Sequence, residues 1–334
     1  MSPSPPAAPM ERRPFDLITM GRVSVDLYPE QLDTALADVA TFAKSLGGSA
    51  TNVAVAAARL GARAAVITKV GDDPFGPYIR RALREFGVDD RYVGTDPALR
   101  TPIVFCEIHP PDDFPLLFYR EPTAPDMMLS VDELDLDAIR AARVFWTTGT
   151  GLSAEPSRTA TLAALAARSE ARAAAPEAIT IHDLDHRPMF WTDERDATAY
   201  AREALRHATV AVGNRDEVAV AVGTRDPHEA SQALLELGVE LAIVKQGPAG
   251  VLARTADRVV EVPPVTHLGV VNGLGAGDAF GGALVHALLQ HHDLERTLRL
   301  ANAAGAYVAS KLACADDMPR IDDLQALIAP EVRA

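Results

Sequence analysis

Short apolar runs and helical stretches alternate along most of this chain, and that alternation restricts its fold more than any other feature. The runs are "FDLITM" (15–20), "AAVITKV" (64–70), "ARVFWTT" (142–148), "AITIHDL" (178–184), "TVAVGN" (209–214) and "LAIVKQ" (241–246). Most are rich in Val, Ile and Thr and are too short for a helix, as buried strands are. Between them the pattern predicts helices over 50–60, 74–86, 157–173, 195–207 and 227–237, three of them stopped by glycine at 61, 87 and 238. A β-α-β-α order predicts an α/β fold, a doubly wound, mostly parallel sheet with helices on both faces. Such sheets bind ligands beyond the carboxyl ends of their strands, so chemistry is expected just after strands.

The segment "TPIVFCEIHPPDDFPLLFYR" (101–120) breaks the pattern and reads as two strands joined by a Pro/Asp turn. It is expected to form a small β lid, together with a segment over about 27–44. Without internal repeats or a long linker, residues 15–330 are expected to form one domain. Residues 1–14 are Pro/Ser/Ala-rich, lack the apolar core of a signal peptide and are expected to be a disordered leader. The formal net charge of −14 argues against the broad basic surface of a nucleic-acid binder, so any anionic ligand must meet local donors. No run approaches the about 18 unbroken apolar residues of a membrane span. The two cysteines, Cys106 and Cys314, show no CxxC or zinc-like spacing, which fits a reducing cytoplasm.

The densest glycine cluster is "VVNGLGAGDAFGGALVHALL" (270–289), where five glycines surround Asp278 at the start of a helical pattern. A dinucleotide fingerprint would need a glycine where Asp278 stands and a place in the first βα turn. A Walker A loop fails too, since "GDDPFGPY" has Pro77 and Tyr78 where lysine and a hydroxyl are required. A glycine turn opening a helix remains. Its free amides and positive dipole end suit an anion, and an aspartate beside them suits a base acting on an attacking hydroxyl. The same residues also allow a helix cap with tight packing, and this stretch alone leaves both readings open.

A second cluster, "GGSATNVAVAAARLG" (47–61) followed by Gly71, places a glycine pair and Asn52 at the mouth of an Ala-rich helix. Gly47, Gly48, Asn52, Ala54, Gly61 and Gly71 fall at the spacing of the first motif of the ribokinase-like (PfkB) carbohydrate kinases, and Gly275-Ala276-Gly277-Asp278 matches the core of the second. The chain therefore resembles that family, from about residue 15 to 328. The resemblance implies a ribokinase-like fold, ATP and Mg2+ as cofactors with a monovalent cation left open, and a homodimer paired through lid strands.

It also implies residue roles. Asp278 would be the base on the acceptor hydroxyl, with the amides of Gly275, Ala276 and Gly277 as anion hole. Asp26 in "GRVSVDL", with Gly47, Gly48 and Asn52, would cradle sugar hydroxyls. Asn214 and Glu217 of "GNRDE" would hold phosphate and the water shell of magnesium, although the same spacing makes an ordinary capping box. Lys245, Gly247 and Gly250 of "KQGPAG" and Asn302 of "ANAAGA" would face the nucleotide. One departure stands out, because Asn272 and Gly273 occupy the places where the family usually has Asp-Thr.

Arg120 in "LLFYRE" and Arg187 in "HDLDHRPMFW" are both expected to reach the cleft, where a guanidinium pair suits a carboxylate. The alternative is ion pairing between lid and body. "TFAKSLGGSATN", "YRE", "DLDHRPMFW" and "ADDMP" resemble most the branch of the family that phosphorylates 5-dehydro-2-deoxygluconate in inositol breakdown. The 2-keto-3-deoxygluconate kinases share the two arginines and are the nearest rival. A silent sugar or nucleotide sensor on the same scaffold is the alternative of a different class. His182 and His186 flank Asp183 and Asp185, but alternate strand residues point to opposite faces, so no metal site is expected there. Trp146 and Trp191 are read as packing residues.

Overall fold

The computed structural model describes residues 15–328; the expected leader, residues 1–14, lies outside them, as do residues 329–334. The six anticipated strands form at Leu17–Met20, Ala64–Gly71, Val144–Thr148, Ile179–Asp183, Val210–Asn214 and Leu241–Lys245. They pair in parallel, each to its neighbour, in one ten-stranded sheet. Two strands absent from the sequence reading, Val251–Arg254 and Val259–Val262, extend one end as an antiparallel hairpin. The short strands Val88–Asp89 and Val93–Asp96 flank Ala64–Gly71 at the other. Each of these four has four residues or fewer, too few for a periodic pattern to register.

Side chains alternate between two buried faces, as a sheet covered on both sides requires. Leu17, Trp146, Ile181, Val212 and Ile243 join a core with the helices Ser49–Arg59, Phe75–Glu85, Ala276–Leu289 and Leu294–Ala309. Ile18 and Phe145 meet the helices Leu136–Ala141, Ser157–Ala171 and Glu194–Leu205 on the opposite face. Ala211, Ala242 and Val244 meet Arg215–Val222 and Pro227–Glu236 there. The sequence reading took Leu294–Ala309 only as the setting of Asn302, yet this helix packs heavily on Ala276–Leu289 and completes one face.

The lid is a separate four-stranded sheet in the order Phe42–Gly47, Ser24–Pro29, Ile103–Cys106, Leu116–Tyr119. It includes the expected segments but starts at residue 24 and reaches residue 47, so Asp26 lies on a lid strand and not in a loop after the first core strand. Val104 and Cys106 face inward and are buried, while Leu117 and Tyr119 are exposed on the outer face.

Candidate active site

Two helix N-termini meet beneath the lid. Asp278, in the first turn of Ala276–Leu289, accepts hydrogen bonds from Ser49 Oγ and Asn52 Nδ2 of Ser49–Arg59, at 2.8 Å each. The helices come this close because two glycines lack side chains. A Cβ on Gly282 would lie 2.3 Å from that of Ala56, and one on Gly281 would lie 2.7 Å from the Trp146 ring. At Gly275 the backbone is left-handed (φ +77°), and a Cβ there would fall 2.3 Å from Cys314 Sγ. The glycine cluster thus serves packing and turn geometry, and it also presents a carboxylate. The Ala276 amide leans toward Gly273 O at 3.4 Å. The amides of Gly277 and Asp278 lie in the first turn, where no intrahelical acceptor exists. Burial pushes the Asp278 carboxyl up from its ordinary range, against the opposing hydrogen bonds from Asn52 and Ser49.

Asp26 faces the same cleft. It accepts from Ser24 Oγ at 2.6 Å, and the single Tyr28 Oη proton is shared between Asp26 Oδ2 at 3.3 Å and Cys314 Sγ at 2.8 Å. Gly47 is required beside it, since a Cβ would sit 2.0 Å from Asp26 Oδ1. A Cβ on Gly48 would strike the Arg22 carbonyl at 2.4 Å. Burial raises the Asp26 carboxyl to about 6. Asn52 lines the cleft too, but its amide nitrogen is committed to Asp278.

Behind these groups, charged side chains gather at the carboxyl ends of the central strands. Lys245 Nζ lies 3.9 Å from Asp183 Oδ1 and beside Gly277, where an added Cβ would come within 3.2 Å of it. Burial lifts Asp183 to about 7, although Lys245 opposes the shift. Asp185 pairs with Arg187 Nη2 at 3.0 Å and Arg22 Nη2 at 3.5 Å. Burial raises its carboxyl, but the two guanidinium groups outweigh that and hold it below the usual range. Arg187 also lies 3.9 Å from Glu217 Oε1.

Arg187 lines the cleft as expected. Arg120 does not. It is closed off behind the lid, bonded to Asp126 Oδ1 at 2.8 Å, with side-chain exposures of 7% and 1%. The lid–body ion pair weighed from the sequence is therefore the observed geometry for Arg120. Asn214 and Glu217 form the capping box, in which Asn214 Oδ1 accepts from the Asp216 and Glu217 amides and Glu217 Oε2 accepts from the Asn214 amide. The second Glu217 oxygen, Oε1, faces Arg187. Gly247 opens the short helical turn Gly247–Ala249, and Gly250 packs on Val262 O, where a Cβ would come within 2.1 Å. Asn302 Nδ2 donates to Pro263 O at 2.7 Å, tying its helix to the loop before the glycine cluster.

Sequence reasoning did not single out Arg22, Ser49, Tyr28, Asp183 or Asp185 as site residues. Arg22 and Asp185 each lie two residues beyond a central strand, so the rule that ligands collect at strand carboxyl ends could have found them. His182 is buried with Nδ1 3.0 Å from Thr147 Oγ1, whereas His186 stacks on Trp191, so the two imidazoles face different surroundings.

Residues 15–321 match the model of the pfkB family carbohydrate kinases. The chain is 32% identical over 323 residues to a 5-dehydro-2-deoxygluconokinase of Listeria monocytogenes serovar 1/2a, covering 95% of this chain and 97% of the relative. The same-named protein of Photobacterium profundum is 33% identical, with 92% of each chain covered. Among solved structures, fructokinase from Vibrio cholerae O395 with fructose, ADP and calcium superposes with a TM-score of 0.80 at 26% identity, covering 93% of this chain and 98% of that one. Fructokinase from Xylella fastidiosa with bound ATP gives 0.81 at 24% identity, covering 95% and 99%, a likeness of fold.

Proposed function

This chain belongs to the pfkB family of carbohydrate kinases, phosphotransferases acting on a sugar hydroxyl, and from that membership we propose a specific reaction. It is transfer of the ATP γ-phosphoryl group to the terminal C6 hydroxyl of 5-dehydro-2-deoxy-D-gluconate, a cytoplasmic step of myo-inositol breakdown. The observation that carries the choice of acceptor is a guanidinium, Arg187, lining the same cleft as Asp278 and Asp26. A neutral sugar has no use for that charge. The names of the relatives about 30% identical to this chain point the same way.

In this reading Asp278 takes the proton of the C6 hydroxyl. Its raised carboxyl is a stronger base than an exposed aspartate, and Ser49 and Asn52 hold it in one orientation. Asp26 accepts from acceptor hydroxyls. The amides of Gly275, Ala276 and Gly277, with Lys245 beside them, hold the oxygens of the migrating group. Lid residues Val104, Leu116 and Phe118 roof the cleft and exclude water, which would otherwise compete as acceptor.

Bound ATP supplies the phosphoryl group, and bound magnesium the counter-charge that loosens it. The residues fit both. Lys245 and the free amides match phosphate oxygens, and the crowded carboxylates of Asp183, Glu217 and Asp278 suit a neighbouring cation. Among the described residues no group of three or more His, Cys, Asp or Glu side chains is placed to hold a metal alone. Asn214 and Glu217 would hold magnesium through its water shell, since magnesium usually keeps several waters. We also assign the chain a homodimer. Phe42, Phe105, Leu117 and Tyr119 form an apolar strip on the outer lid face, with ring centroids 5.4 and 5.5 Å apart along it, which a second copy would cover.

The test is ADP release with magnesium-ATP and four acceptors: 5-dehydro-2-deoxygluconate, 2-keto-3-deoxygluconate, ribose and fructose. A kcat/KM for the first that is at least about tenfold above the others is the expected result. A better rate with a neutral sugar would overturn the acceptor assignment.

A further inference from the structure

We infer that Arg22, not Arg120, is the partner of Arg187 in reading the carboxylate of the acceptor. The inference rests on the acidic acceptor proposed above and assigns the group to a residue the sequence motifs leave unassigned.

Arg22 follows the central strand Leu17–Met20, and its main chain cannot drift. Its carbonyl accepts from Thr51 Oγ1 at 2.9 Å and lies against Gly48. The residue is 6% exposed, yet its side chain lines the cleft. Nε donates to Thr150 Oγ1 at 3.1 Å, and Nη2 reaches Asp185 Oδ2 only at 3.5 Å. Nη1 has no hydrogen-bond partner among the described residues. The guanidinium carbon lies 5.9 Å from the Phe118 ring on the lid and 5.7 Å from the Phe190 ring, so closure of the lid dehydrates it.

Unused hydrogen-bonding capacity gives the reason. Arg22 and Arg187 share the carboxylate of Asp185, and Arg22 meets it only through one long contact at 3.5 Å, so part of its fork is left for a ligand in the cleft. Glu217 is 3.9 Å from Arg187, but its other oxygen is engaged by the Asn214 amide. Asp26 and Asp278 also feel the charge of Arg22, but neither forms a hydrogen bond or ion pair with it among the described residues, their bonds coming from Ser24, Tyr28, Ser49 and Asn52. A half-paired buried guanidinium is costly, and an anionic ligand removes that cost. Arg120, by contrast, has a carboxylate of its own, and its Nη1, though buried without a partner, is not part of the cleft lining. Asp126 bonds Arg120 through Oδ1 and accepts from the Val23 amide through Oδ2 at 3.1 Å. Arg120 therefore ties the lid to the residue after Arg22 and acts as a positioning residue.

The experiment compares 5-dehydro-2-deoxygluconate with its methyl ester, which keeps the hydroxyls and lacks the charge, using the full-length enzyme. The readout is the ratio of kcat/KM for acid over ester. Arg22→Met should lower that ratio at least about tenfold, chiefly through KM of the acid, the loss expected of a charge-assisted contact. Arg120→Met should leave the ratio unchanged while lowering both rates. Methylguanidine added to Arg22→Ala should restore acid turnover in preference to ester turnover. If Arg22→Met folds poorly, Arg22→Lys, which keeps the charge without the fork, should still raise KM for the acid more than for the ester. An unchanged ratio in Arg22→Met and Arg22→Lys would overturn the assignment to Arg22. A ratio near one in the unmodified enzyme would instead overturn the acidic acceptor itself.

Discussion

Replacing Asp26 by Asn should make the protein more stable at alkaline pH and a poorer enzyme. Burial raises this carboxyl from 3.8 to about 6 in the folded chain. The folded state therefore carries a penalty when Asp26 is ionised, of about 2 pKa units or about 3 kcal/mol, at pH values above both constants. The sign follows from the raised constant: the penalty is absent below the unfolded value, grows as pH rises, and is complete once pH passes about 6. Asn has nearly the same shape and no charge, so it escapes the penalty. Its amide nitrogen must however face Ser24 Oγ or Tyr28 Oη, at a cost of about 1 kcal/mol. The net gain at pH 8 is then about 2 kcal/mol, falling on acidification and reversing to a small loss near pH 4. Reversible urea unfolding of both proteins from pH 4 to 8 measures the difference directly, and other titrating groups cancel in it. The same variant should lose at least about tenfold in kcat/KM, since a charged acceptor for sugar hydroxyls is gone. A stability difference that is flat with pH, or that grows on acidification, would refute the argument that burial of Asp26 is a strain held for function.

Asp278→Asn should bind ATP almost normally by calorimetry while kcat falls about 10²- to 10⁴-fold, and a near-normal kcat would remove the base from the mechanism. In the unmodified enzyme kcat/KM should decline on acidification at a higher pH than an ordinary aspartate would give, because the raised Asp278 must be ionised to accept a proton. Gly273→Thr, which restores the residue usual in the family, should destabilise the chain by about 1–3 kcal/mol, because a Cβ there meets the Phe114 ring at 2.8 Å. Adding Phe114→Ala should recover part of that loss in urea unfolding, and no recovery would show that the clash lies elsewhere.

The Gly273 contact also explains the departure noticed in the sequence. Asn272 is buried and donates to Leu312 O at 2.7 Å while accepting from the Leu274 amide, so it shapes the loop and offers nothing to the cleft. Gly273 leaves room for Phe114 of the lid.

The sequence by itself determined the alternating strands, most of the helices and the glycine-framed Asp278, because each rests on local periodicity or on backbone geometry that few residues tolerate. Gly275 needs its left-handed backbone, a demand written at that one residue, whereas Gly282 must lack a side chain only because Ala56 of the neighbouring helix lies against it. Tertiary structure alone decided which charges face one another. Arg120 and Arg22 look equally available in the chain, yet Asp126 lies within reach of one and only half of Asp185 is left for the other. Those pairings join residues six to more than a hundred positions apart. They depend on strand order and lid closure, which local pattern does not encode.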